Sequence, residues 1–287
     1  MKLRTKAESL VYIHLSNICF AATAILISAL SPDYDGWFTA FARFAVGAML
    51  GFSQLGATKT PFRIVKLKPW LGRGLFGAVA MILYYISISL GTPGRASLFN
   101  NSFPIFVAII SIVALREKVR LSTVAGVLLA FTGVAFVLWD GTGMSFIGDA
   151  AGIASGFLAG ISYHFNKRAS QTEHPIVIYL GVCFVGVLTT AFAFPQAVSI
   201  DFRAALLLIL AGAGAYAAQI LITIGLRDIP TTEGSVHTFV KIPLTVIAGY
   251  LFLDDPITLR FVAGTALLLL GLFLNDRTPP MPMRKRP

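Results

Sequence analysis

Acidic side chains are scarce in this chain: Asp and Glu number 13 among 287 residues, and charged residues of both signs make up only 13%. Soluble domains carry about 25% charged residues, so this composition excludes an ordinary water-soluble fold. No Asp or Glu falls clearly inside a long apolar run; Glu233 stands near the start of one, and Glu117 and Asp255 close theirs. That scarcity argues against a proton antiporter built on a buried carboxylate and points to facilitated export, or to coupling through His or Lys. Cysteine is nearly absent. Cys19 and Cys183 both lie in apolar segments, with no spacing for a metal or a disulfide framework. Catalytic signatures are missing too. There is no Gly-x-Ser-x-Gly, no His-Glu-x-x-His and no Gly-Lys-Ser/Thr, so ATP-driven pumping by this chain is excluded, and neither an enzyme nor a cofactor or metal site is expected.

Apolar residues are what the chain has, at 56% of the total. Runs of about 20 such residues, each long enough to cross a hydrocarbon layer of about 30 Å, recur along its length. Ten can be marked, near 10–30, 36–55, 70–90, 95–115, 121–139, 147–166, 175–194, 203–225, 231–253 and 257–275. The expected fold class is an all-α polytopic membrane protein with ten transmembrane helices. The net charge of +10 comes from basic residues read as lying between these runs, a topology signal and not a nucleic-acid surface. With the N-terminus cytoplasmic, that side collects Lys2, Arg4, Lys6, Lys59, Arg63, Arg73, Arg116, Lys167, Arg227 and the Arg284-Lys285-Arg286 tail; the other side holds Arg95, Arg203 and Arg260. Both termini are therefore placed in the cytoplasm, as an even helix count demands.

Two stretches repeat one another. Pro104, Leu115-Arg116-Glu117, Leu121, Gly126 and Gly133 are matched by Pro243, Leu253-Asp254-Asp255, Leu259, Gly264 and Gly271. Repetition at matched spacing marks a duplicated architecture, and in membrane proteins it points to transport. Five helices per half is an odd number, so the second half enters the membrane from the opposite side. The expected organisation is a first five-helix repeat over 1–142, a second, inverted one over 143–277, and a basic cytoplasmic tail over 278–287.

Polar residues at membrane depth mark the candidate site. Lys241 lies two residues before Pro243 and is read either as attracting a substrate carboxylate or as an internal partner for a carbonyl or Glu233. Arg43, with five donors, reads as a structural anchor. His237 shares a helical face with Lys241, and with His14 and His164 it is a candidate proton carrier. Asn17, Phe20, Tyr84, Tyr85, Phe99, Asn100, Asn101, Tyr163, His164, Tyr216 and Gln219 complete a mixture of rings and amides that suits a neutral ligand with an apolar side chain, or else ordinary helix packing. Gly152 and Gly156, in a row of glycines from Gly148 to Gly160, allow close helix approach and read as static packing or as a sliding surface. Trp37, Trp70 and Trp139 read as interfacial anchors.

With the repeat and the Phe103-Pro104-Ile105-Phe106, Leu115-Arg116-Glu117 and Gly126 pattern laid out, the chain resembles the EamA-type branch of the drug/metabolite transporter superfamily over nearly its whole length. Asp254-Asp255-Pro256, where that family usually has a Gly-Glu pair, and Lys241 before the second proline depart from the pattern. Within the branch it looks most like the YddG-like exporters of aromatic and other neutral amino acids. The resemblance implies ten helices around a central cavity and amino-acid efflux by alternating access across the bacterial inner membrane. The expected partners are then a small-molecule substrate, amino acids first, and the lipid bilayer, with a monomer as the working unit. Efflux of drugs or of a phosphorylated or nucleotide-linked metabolite is the alternative within transport; a non-transporting receptor or scaffold is the alternative outside it.

Overall fold

The computed structural model describes residues 4–30, 34–90, 93–139, 145–194, 200–253 and 257–276. The expected repeat junction near 142, the tail over 278–287 and the Asp254-Asp255 pair lie outside the described residues. Twelve α-helices follow one another: α1 Lys6–Ser28, α2 Gly36–Ala57, α3 Leu67–Leu90, α4 Pro93–Asn100, α5 Phe103–Val113, α6 Leu121–Leu138, α7 Phe146–Ala169, α8 Pro175–Thr190, α9 Phe202–Leu226, α10 Thr231–His237, α11 Lys241–Leu253 and α12 Leu259–Asp276. No strand occurs among the described residues. Because α4 with α5, and α10 with α11, each make one span, the twelve helices give ten membrane spans of 18 to 25 residues. At 1.5 Å per residue even the shortest reaches about 27 Å, close to the thickness of the hydrocarbon layer.

Caps explain where several spans begin. Thr5 and Glu8 form a reciprocal capping box at the start of α1, while Asp35 accepts from Phe38 N at 2.7 Å, Ser145 from Gly148 N at 3.1 Å and Asp201 from Ala204 N at 2.9 Å. Each satisfies a backbone donor that the helix itself leaves open.

The two prolines of the repeated stretches do the same thing. Each sits in the first turn of a half-helix that resumes after a break. Pro104 follows the Asn101-Ser102 turn between α4 and α5, and Pro243 follows a 3-10 turn, Thr238–Val240, between α10 and α11. Proline lacks the N–H that a first turn leaves unused, so it costs nothing there and would break a helix interior. The sequence reading of 95–115 and 231–253 as continuous runs is thus refined: both are discontinuous.

Helices α6 and α12 run antiparallel, with Gly126 against Gly271 and Gly133 against Gly264. The match is reciprocal at the atomic level: a Cβ on Gly271 would meet Ala130 N and Gly126 O, and one on Gly133 would meet Leu268 N and Gly264 O. The same glycines that define the repeat therefore pack against one another's counterparts, as a two-fold axis requires. Other contacts obey the same exchange, with α3 packing on α7 and α1 on α9. Equivalent helices running in opposite directions are what an inverted repeat demands.

Candidate functional site

Both helix breaks lie deep in the bundle, and the opposite half of the chain holds each in place. On α1, Asn17 is fully buried, and its amide donates to the His237 carbonyl at the α10 break over 2.8 Å. On α7, Ser155 accepts from Asn100 at 2.7 Å at the α4 break and donates to Ala80 O at 2.6 Å. A broken helix leaves carbonyls and N–H groups unpaired at membrane depth, where no water reaches lipid-facing backbone, so such partners are required.

Beside these breaks the side chains form a closed circuit. Lys241, the first residue of α11, places its ammonium 5.7 Å from the Phe103 ring centre and 5.6 Å from that of Phe20. Phe103 packs on Tyr163 of α7 at 4.4 Å between centroids. Tyr163 lies within electrostatic range of Arg73 on α3, Arg73 within range of Arg43 on α2, and Arg43 within range of Lys241. Arg43 also stands beside the Tyr85 and Tyr179 hydroxyls. Arg43, Tyr84, Tyr163 and Lys241 are each only half-buried.

Arg73 corrects the charge map drawn from sequence. Read there as a loop residue, it sits inside α3, 5% exposed, donating to Ser162 Oγ at 2.5 Å and to Gln219 Oε1 at 2.6 Å. Its place in the apolar run, four residues after Pro69, was the signal that could have found it. Arg95 is likewise buried in the first turn of α4, paired with Asp149 and 4.7 Å from the Trp139 ring. Trp70 is a core residue and not an interfacial anchor: it is 9% exposed, and its indole donates to Val177 O at 2.7 Å.

The remaining sequence candidates divide. Tyr84 bonds Ser97 at 2.9 Å and lies tilted against Tyr85, which is itself buried in an apolar cluster. Gln219 supports Arg73, and Tyr216 bonds Gln54 and packs on Tyr179. His164 is buried with its ring nitrogen 3.1 Å from Val107 O, and Asn101 turns back to Ser97 O at 2.7 Å, so both are spent on packing and local structure. Phe99 takes the close approach of Gly152, and its carbonyl that of Gly156, so these glycines seat the α4 break against α7. His237 bonds Asp276 at 3.0 Å and meets the His14 ring edge-on at 5.4 Å, while Glu233 pairs with Lys6. Lys241 is therefore not the partner of Glu233; among the described residues no ion pair reaches Lys241 at all. No cluster of metal-ligating side chains occurs among the described residues. A separate open groove of about 350 Å³, lined by Ala135, Phe136, Trp139 and Arg260, shares no residue with the circuit.

Comparison with known proteins agrees with the bundle. A crystal structure of another protein superposes with a TM-score of 0.81 over 95% of this chain and 98% of that one, at 16% identity, which shows a common fold. An uncharacterized transporter of Archaeoglobus fulgidus is 27% identical over 219 residues, 71% of this chain and 75% of its own length. The uncharacterized transporter YetK of Bacillus subtilis is 24% identical over 238 residues, 78% and 70% respectively. The EamA-like transporter family matches residues 8–139 and again 146–275. With ten spans, paired helix breaks and a family match over almost its full length, this multi-pass membrane protein belongs to the EamA-like transporter family.

Proposed function

We propose that this transporter works by alternating access around the hollow between the two helix breaks, exporting small molecules that combine a carboxylate with an apolar or aromatic body. Neutral and aromatic amino acids are the first candidates, in keeping with the resemblance to YddG-like exporters. The observation that carries this reading is Lys241: an ammonium at membrane depth, without an acidic partner among the described residues, flanked by the Phe20 and Phe103 rings. A buried charge without a partner is costly and is kept where a ligand completes it. The rings around it suit the ligand's apolar part. Two halves of opposite orientation rocking about the breaks would open the hollow to each side in turn, with both termini in the cytoplasm of a bacterial inner membrane.

A second reading, export of a phosphorylated or nucleotide-linked metabolite, is favoured by Arg43, which lies within electrostatic range of both Lys241 and Arg73. Guanidinium groups match phosphate oxygens in pairs.

Reconstitution of the purified chain into liposomes tests both. Counterflow of labelled phenylalanine, tryptophan, threonine and a nucleotide sugar is compared with empty vesicles. Lys241→Ala is expected to lower flux at least tenfold while the protein still elutes as a folded monomer. Full transport by that variant, or no flux of any probe by the native chain, refutes the proposal.

A further inference from the structure

The charge around the hollow is lopsided. Arg43 is an electrostatic neighbour of both Lys241 and Arg73, and among the described residues no carboxylate is named beside any of the three. The ion pairs found among the described residues involve other cations. Guanidinium groups stay protonated in proteins, so at least two of these charges are permanent. Arg43 Nε and Arg73 Nε are buried without a hydrogen-bond partner, although Arg43 also interacts with the Tyr85 and Tyr179 hydroxyls. Two guanidinium donors are thus left over at this site.

The backbone adds to the same sign. Phe103 opens the 11-residue α5 and Lys241 opens the 13-residue α11, so both half-helices begin beside the hollow. The N-terminus of a helix carries partial positive charge and free N–H groups, and discontinuous helices in transporters aim such ends at anionic groups.

We infer that the preferred cargo crosses as a net anion: a molecule with an aromatic or apolar body and a carboxylate or phosphate, without a compensating ammonium. This rests on the transport reading above and narrows it. An amino acid brings an ammonium that these cations repel and that no nearby carboxylate among the described residues receives; an organic acid of the same shape brings only the charge the site is short of. Export of such an anion moves negative charge outward, so the inside-negative membrane potential drives it, by about tenfold in concentration for roughly each 60 mV per unit charge.

Two probes of matched shape decide the matter in liposomes holding the full chain. Phenylalanine and phenyllactate share ring and carboxylate and differ in ammonium against hydroxyl. Efflux is measured with the membrane potential set by a potassium gradient and valinomycin. The expected result is that phenyllactate leaves at least tenfold more efficiently than phenylalanine and that its rate rises with an inside-negative potential. Arg43→Gln is expected to narrow the ratio between the probes, a quantity that partial loss of folded protein leaves unchanged. Phenylalanine efflux equal to or above that of phenyllactate, indifferent to potential, overturns the net-anion inference and leaves amino-acid export standing. No efflux of either probe, nor of a nucleotide sugar, removes both.

Discussion

An alanine in place of Gly126 is expected to wedge α6 away from α12. Its Cβ would lie 2.7 Å from the Gly271 carbonyl oxygen and 3.1 Å from Asn275 N, whereas ordinary contact starts at 3.4 Å. Both obstacles are backbone atoms and cannot rotate aside, so the helices must part locally by about 0.7 Å to restore normal packing. The second crossing, Gly133 on Gly264, is seven residues away, or about 10.5 Å along the axis, so a wedge at one end with the other held tilts the pair by about 4°. Overpacking of this kind costs about 1–3 kcal/mol. The counterpart experiment is Gly264→Ala, whose Cβ would lie 2.6 Å from the Gly133 oxygen. Since the two sites are related by exchange of the repeats, the two variants should lose stability by similar amounts. The assay is the temperature at which half of the detergent-purified protein survives on size exclusion. Survival of either variant at the native temperature, or one variant falling several-fold further than the other, would refute the reciprocal packing.

Other expectations test the supports of the site and its topology. Asn17→Ala removes the donor to His237 O and leaves a buried carbonyl unpaired at the α10 break, which should cost about 1–3 kcal/mol in the same thermal assay. Glu173, buried between α7 and α8, accepts from Val65 N at 3.0 Å and Lys66 N at 2.7 Å. Glu173→Gln replaces a charge-assisted acceptor and should destabilise the start of α3 by about 1.5–3 kcal/mol, read as faster proteolysis of the 58–66 connection. Single cysteines placed at Lys59 and Arg203, on a chain whose own two cysteines are replaced by serine, should react with an impermeant maleimide from opposite faces of the membrane. Labelling from one face alone would contradict the ten-span arrangement.

Much of this architecture was legible because the membrane simplifies the code. A backbone without water must bond to itself, so long apolar runs become helices, and their number and loop charges set the topology. The repeat was legible for a similar reason: Gly126, Gly133, Gly264 and Gly271 admit backbone-to-backbone contact that no larger residue allows, and the prolines mark where a helix resumes. Lys241 stood out because a charge is rare in such a run.

What a linear chain does not display is which polar groups face one another. Arg73 and Arg95 looked like loop charges, Trp70 looked like an interfacial anchor, and all three are interior, since burial depends on the helices packed around a residue. The partner of Glu233 proved to be Lys6, from the far end of the sequence, which leaves Lys241 unpaired among the described residues and alone with Arg43, Arg73 and two rings. The sequence by itself determined a ten-span helical membrane fold, because a long apolar run has no other way to satisfy its backbone in lipid. Only the tertiary structure decided the sign of the charge at its centre, because that sum runs over residues from α2, α3 and α11 that meet only once the bundle has closed.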